Sequence, residues 1–327
     1  MKKPMKKGMK IALIVAASLF AVGIALSTVG FVMMEGNFSL LATETYRTVE
    51  IEITDEFSSI DILVNTSNVA LEPSEDGKTK VCAFISEKNE LFAEVTGGTL
   101  SVRETREGGF WNFIAVNFET PSIVLYIPEG EYDRLSVESN TGDLDTDDKF
   151  SFASLSFESD TGDAKITSPV SYKLEATTDT GNISIFGAAP SSIYVTTDTG
   201  EISLKNSYLS EEIKIETDTG DVELSGVRTL SLEIETDTGD VNIYDVIASD
   251  ETNINTSTGD VTFAAFDSEK ISIRSSTGDV SGELLTRKLF TVDTSTGATS
   301  IPYSAEDGGT CDVKTSTGSV KLSVAKS

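Results

Sequence analysis

Aspartate in front of Thr-Gly is the arrangement in this 327-residue chain that comes nearest to a catalytic motif. Asp160, Asp179, Asp198, Asp218 and Asp237 each stand in an Asp-Thr-Gly tripeptide. That tripeptide marks the paired carboxylates of aspartic proteases, in which two carboxyl groups share one proton. Five copies at near-constant spacing predict a ladder and not a dyad. In the later copies Ser257, Ser276, Ser295 and Ser316 take the place of the aspartate. A turn tolerates that exchange, whereas a proton-sharing pair does not. The sequence holds no histidine, which excludes His-ligated zinc hydrolysis and Ser-His-Asp catalysis. Carboxylate-only glycoside chemistry needs one specific acidic pair, and none stands out from the many acids present. The chain is therefore read as a non-enzyme with no catalytic or cofactor-binding residues, and an envelope polysaccharide-active enzyme is the rival reading.

The same residues raise a metal question. A second acidic row follows the glycines: Asp143, Asp163, Asn182, Glu201, Asp221, Asp240, Asp260 and Asp279. Unit charges about 4.8 Å apart repel by roughly 3 to 4 kcal/mol at an effective dielectric near 20. Two arrangements offset that cost. Each carboxylate can accept backbone N–H bonds within its own turn, or Ca²⁺ can bridge carboxylates of adjacent repeats. The candidate ligands for the second are Asp179, Asp198, Asp218, Asp237, Asp221 and Asp240, which would make the protein a Ca-stabilised rod.

The elements that must carry these rows follow from the repeat itself, because a fixed period decides the architecture. The pattern Ser/Thr-x-Thr-Gly occurs ten times, ending at Gly142, Gly162, Gly181, Gly200, Gly220, Gly239, Gly259, Gly278, Gly297 and Gly318, with spacings of 19 to 21 residues. In one copy Ile213, Ile215 and Thr217 alternate with Lys214 and Glu216, the period of a half-buried strand. After Gly220 the apolar positions are Val222 and Leu224, so the parity has switched, as a corner requires. Glycine is expected there for positive φ, with Asp and Thr bonding local backbone. A second, variable turn should close each coil. Two short strands and two turns make a β-solenoid coil that is stable only when stacked. About ten such coils would give a rod of roughly 45 to 50 Å.

The expected fold class is all-β: a single-chain β-solenoid, residues 135–327, behind an N-terminal β cap with a degenerate first coil, residues 45–134. In that degenerate coil Asn68 stands where later copies have glycine. The cap should hide the first strand edge, with Trp111, Phe110 and Phe113 in its core. The C-terminal coil has only Lys321 and Lys326 to guard its edge, which leaves end-to-end self-association open. Ahead of the cap lie a basic tail (1–10), a charge-free run of 24 residues from Ile11 to Met34, and a linker (35–44). The run is long enough to cross a hydrocarbon core about 30 Å thick. Lysines before it place the N-terminus in the cytoplasm and the rest outside the cell membrane; a cleaved secretory signal, whose apolar region is usually only about 7 to 15 residues, is the competing reading and exports the same part.

Five of the 25 Lys+Arg precede that run, so the exported part sets 20 of them against all 53 Asp+Glu. Such a surface disfavours nucleic acid and favours cations and basic partners. Cys82 and Cys311 lie in alternating apolar stretches and read as small buried residues, not a disulfide.

The segments Ile123-Val124-Leu125-Tyr126-Ile127-Pro128 and Leu135-Ser136-Val137-Glu138-Ser139-Asn140-Thr141-Gly142-Asp143, followed by the serial copies, resemble the bacterial family known as the putative adhesins, over about residues 45 to 325. The resemblance implies an extracytoplasmic β-solenoid, often anchored by an N-terminal helix, acting in surface interaction, adhesion or envelope sensing on an unknown surface protein or glycan. If the acidic rows are held by backbone bonds, dialysis against EDTA leaves the melting temperature unchanged. A large drop that Ca²⁺ reverses would identify a structural metal.

Overall fold

In the computed structural model the residues before and after the Thr-Gly pairs from Gly142 to Gly278 pair in parallel with the same positions of the preceding rung. Ile213 lies between Ile193 and Leu232, Ile215 between Val195 and Ile234, and Thr217 between Thr197 and Thr236. The structure describes residues 45–106, 120–208, 211–305 and 308–325, with helical positions between residues 13 and 28. Two compact units divide the chain, one of residues 1–45 with 108–119 and one of residues 46–107 with 120–327. Among the described residues no helix is long and apolar enough to cross a membrane, and part of the expected span 11–34 lies outside them. The aromatic cluster around Trp111 also falls outside the described residues.

The larger unit is all-β, a solenoid of about nine turns. Its interior is a single apolar cluster extending from Ile60 to Leu322. The columns of that core follow directly from alternation in the sequence. One runs Leu135, Leu155, Leu174, Ile193, Ile213, Leu232. After the corner another runs Ile183, Ile202, Val222, Val241, Val261, Val280. Where Phe263 enters the core, its neighbour one coil on is Gly282, at which a Cβ would collide with the Phe263 ring. One side chain thus fills the space of two.

Each coil in the middle of the rod has three sides, not the two expected. Val222–Thr238 is one continuous strand bent twice, at Gly226 with φ 65 and at a register shift between Thr229 and Ser231. The first bend recurs in register at Gly187, Asn206, Asp245 and Ala265, all left-handed. Gly, Asn and Asp adopt that conformation readily. The apolar parity still permits such a bend, which is why the alternation alone did not reveal it.

The Thr-Gly corner requires glycine for the positive φ expected, which Gly181 through Gly318 show at 153 to 159, and for a second reason that was not expected. Gly142 and Gly162 are not left-handed, yet a Cβ at either would strike a carbonyl oxygen: that of Ser67 at Gly142 and that of Gly142 at Gly162. From Gly162 through Gly278 every corner glycine sits against the carbonyl of the previous one in this way. Close approach of stacked backbones selects the residue together with φ along most of the stack, and alone at Gly142 and Gly162. The glycine N–H then reaches the threonine carbonyl of the next coil, as from Gly220 to Thr238 and from Gly239 to Thr258, both 2.9 Å.

At the N-terminal end the strands are β1 (Tyr46–Ile53), β2 (Ser59–Leu63), β3 (Asn68–Pro73), β4 (Thr79–Ser86), β5 (Asn89–Thr96), β6 (Thr99–Arg106), β7 (Ser122–Ile127), β8 (Gly130–Ser139) and β9 (Leu144–Asp145). β2 and β3 form a true first coil, parallel to β8 and β9 on one side and to β6 and β7 on the other. In that coil Ser67, not Asn68, holds the glycine place, because the register sets Val69 opposite Leu144 and Gly142 against Ser67. Beyond it the pairing turns antiparallel: β5 on β6, β4 on β7, β1 on β4.

The C-terminal end departs from the expectation most. The corner order in space is Gly278, Gly318, Gly297, because Thr310–Thr317 lies between Lys270–Thr277 and Leu289–Thr296. Lys321 is therefore paired within the stack, between Ser281 and Ser300, and guards no edge. The terminal rung leads into only two strand residues, Thr299–Ser300, so fewer turns close than the ten glycines suggest.

Gly162→Ala should cost more than about 3 kcal/mol in denaturant unfolding, since Gly162 has no positive φ and the Gly142 carbonyl must move. Gly77→Ala is the control: Gly77 is left-handed, at φ 70, but has nothing within 4 Å of an added Cβ. It should cost only about 1 to 2 kcal/mol, and equal losses would contradict close approach as the cause.

Candidate functional site

The acidic rows at the corner resolve into two different environments. In the row after the glycines, the side chains of the Asp and Asn members accept the backbone N–H of their counterparts in the next coil. Asp163 N–H donates to Asp143, Asn182 to Asp163, Glu201 to Asn182, Asp240 to Asp221, Asp260 to Asp240 and Asp279 to Asp260, at 2.7 to 2.9 Å. The bonds thus run between coils and not within one turn as expected. Asp and Asn have the reach for this bond, and the step from the longer Glu201 to Asp221 is the one without it among the described residues. The row before the glycines, Asp179, Asp198, Asp218 and Asp237, is exposed, and Ser257 donates to Asp237. Among the described residues no group of three or more acidic or thiol side chains comes together to hold a metal.

Corner hydroxyls line the inner side of the same turns. Thr178, Thr197 and Thr315 donate to the carbonyls of Gly162, Gly181 and Gly278, each at 3.2 Å. At these three turns the hydroxyl satisfies the backbone where the coils approach closely, whereas the buried hydroxyls of Ser159, Thr217, Thr236, Thr256 and Ser275 make no hydrogen bond among the described residues.

A deep concavity lies elsewhere, at the junction of cap and solenoid. A cleft of about 1300 Å³ opens there on the outer face of the sheet that runs from β1 through β4, β7, β3 and β9. Strand alternation aims its floor outward: Glu50 stands opposite Cys82, Lys80 opposite Tyr126, Tyr126 opposite Glu72, and Ala70 opposite Asp145. The turn between β3 and β4, with Glu75 and Asp76, forms one wall, and the turn after β9, with Asp147 and Asp148, forms another. Phe186, 52% exposed, closes one end.

Seven carboxylates and two lysines line this cleft. Both lysines are already engaged, Lys80 with Asp76 at 2.9 Å and Lys165 with Asp145 at 3.0 Å, so the excess charge is negative. The Lys80 ammonium, the Lys78 N–H and the Ser74 hydroxyl hold the Asp76 carboxyl down at about 2. A general acid for glycoside cleavage needs the opposite shift. Burial, with Glu72 beside it, pushes the Tyr126 phenol up, and burial, with Glu50 beside it, pushes the Cys82 thiol up. The thiol is therefore a poor nucleophile. Cys82 is half-buried on the cleft floor, not in the core as expected, because β4 turns Val81 and Ala83 inward. Cys311 is fully buried, and burial raises its thiol to about 12.

Sequence reasoning missed this cleft, because its floor depends on antiparallel pairing between strands far apart in the chain. The adjacent acids Glu75-Asp76 and Asp147-Asp148, both in turn sequences, were the available signal. What the arrangement can do is bind: carboxylates accept from ammonium or guanidinium groups, and Tyr126 and Phe186 offer ring faces to apolar or cationic groups.

No curated protein matches the sequence. Among solved structures, a putative adhesin (BF0245) from Bacteroides fragilis NCTC 9343 is 14% identical, with 85% of this chain and 97% of that one covered and a TM-score of 0.44. A putative adhesin from Parabacteroides distasonis ATCC 8503 is also 14% identical, covering 75% and 98%, with a TM-score of 0.48. A third, from Parabacteroides merdae ATCC 43184, is 12% identical over 87% and 98%, with a TM-score of 0.25. The family model described as Toastrack DUF4097 matches residues 57–206 and again residues 189–327, so the chain belongs to the Toastrack DUF4097 family.

Proposed function

We propose that this protein is a non-enzymatic surface-interaction module, held at the cell membrane by residues 11–34 with its β domain outside the cell. The cleft between cap and solenoid is the place where it takes a partner. The observation that carries this reading is the cleft's composition: seven carboxylates against two paired lysines, with Tyr126 and Phe186 presenting rings. A partner segment bearing Lys or Arg next to an apolar residue fits that chemistry. The charge-free run from Ile11 to Met34, preceded by five lysines, supports the anchor and its orientation. The adhesin naming of the similar solved proteins is in keeping with a surface role.

A strongly acidic protein attracts any polycation, so the test must separate the cleft from the general field. Binding of a fluorescent Lys-Phe-Lys-rich peptide is measured by anisotropy for three forms of the protein. The triple variant Glu72→Gln, Asp147→Asn, Asp148→Asn should bind at least about tenfold more weakly than the native chain, a change of about 1.4 kcal/mol. The variant Glu216→Gln, Glu233→Gln, Glu235→Gln removes the same charge from the flank of the rod and should bind within about twofold of it. Equal losses in the two variants would overturn the cleft as the site. Release of sugar products from cell-wall glycans by the protein would overturn the non-enzymatic reading.

A further inference from the structure

The last coil of the chain is not the last coil of the rod. Thr310–Thr317 is paired on both edges, with Lys270–Thr277 on one side and Leu289–Thr296 on the other. After the corner, Val320–Val324 lies likewise between Val280–Leu284 and Thr299–Ser300. The inserted coil is bonded above and below at every corner group: Gly278 N–H to Thr317, Val280 N–H to Ser319, Gly318 N–H to Thr296 and Val320 N–H to Ala298, all 2.9 Å. It also continues the Asx ladder, as Ser319 N–H donates to Asp279 at 2.7 Å. Cys311 fills the core between Ile271 and Phe290.

This order has a consequence for assembly. The strand Leu289–Thr296 has no ladder partner among the described residues other than the inserted coil. To reach its place the chain must skip one rung through Leu285–Lys288, leaving a slot that stays open until residues 310–324 arrive. The crossing is then covered: Leu289 N–H donates to the Gly309 carbonyl at 2.8 Å, and Ala305 N–H to the Lys288 carbonyl at 3.0 Å. Lys288 ends 2% exposed, its ammonium 2.6 Å from Asp267.

We propose that residues 310–324 are an exchangeable element, and that the partner fitted to this end of the rod is a second copy of the chain. In the exchanged pair each copy places its own last coil in the slot between the Gly278 and Gly297 corners of the other. Every ladder bond, corner contact and core neighbour of the coil is kept in that exchange, because the slot recognises this sequence whichever chain carries it. Only the path of the return segment after Ser300 changes. Mutual exchange is isologous and closes as a two-fold dimer, so it does not run on into fibres. A short tether gives an effective concentration in the millimolar range. Closure within one chain therefore dominates in dilute solution, and exchange grows with local protein density.

The register supplies the test. Ser281 and Lys321 are Cα partners on adjacent strands, so cysteines at these positions form a disulfide only when the coil is seated. Full-length chains in detergent all carry Cys82→Ser. One chain carrying both Ser281→Cys and Lys321→Cys, refolded dilute and oxidised, should close internally; failure to close would overturn the inserted order and the proposal with it. Two differently tagged chains, one Ser281→Cys and the other Lys321→Cys, are then refolded together over a concentration series. A disulfide-linked heterodimer whose yield rises with concentration is the expected result. Internal closure in the first experiment with no heterodimer at any concentration in the second would overturn the exchange.

Discussion

Backbone contact at the Thr-Gly corner is the constraint on which the other features rest. Each corner glycine presses against a carbonyl of the adjacent rung, that of the preceding corner glycine from Gly162 through Gly278, with no room for a Cβ. That proximity fixes the height of a rung, and with it the parallel register of every strand entering and leaving the corner. Once the register is fixed, apolar alternation places Ile, Leu and Val in continuous columns and leaves Glu, Lys and Asp outside. The corner also explains the acidic row. A carboxylate in the position after glycine accepts the N–H of its counterpart one rung on, so the charges that repel each other along the rod also bond its coils together.

The repeating part of this architecture was legible because it is local and repeated. Ten copies of Ser/Thr-x-Thr-Gly and the parity switch across Gly220 fix the corner, the inward face and the stack. What the copies cannot show is anything carried by a single residue or by long-range pairing. The left-handed bend at Gly226 has no common residue type, since Asn206, Asp245 and Ala265 serve equally. The Ser67 corner lacks a glycine altogether and was displaced by one position in the reading of the sequence. The insertion of the last coil leaves no local mark either, because residues 310–324 carry the same Ser/Thr-x-Thr-Gly pattern as any other coil.

The candidate site was the least legible part, and for a physical reason. Parallel stacking gives a regular, nearly featureless surface, whereas the change to antiparallel pairing at β4 and β7 brings β1 and the turn between β3 and β4 beside the first solenoid coils. The cleft is a product of that break in regularity. Its chemistry comes from residues that are unremarkable one by one: Glu72 and Tyr126 on neighbouring strands, Asp147 and Asp148 in a turn. The motif that drew attention first, Asp-Thr-Gly, does structural work, and the function proposed for the protein rests on residues outside it.

Trans-hydrogen-bond scalar couplings test the stacked corner most directly. With isotope-labelled protein, couplings between the amide nitrogen of Gly220 and the carbonyl carbon of Thr238, and between those of Gly239 and Thr258, report the inter-coil bonds one at a time. Stacked corners predict both couplings, with slow amide exchange at each glycine. Absence of both, or couplings that instead join residues across antiparallel hairpins, would contradict the solenoid and all that is built on it.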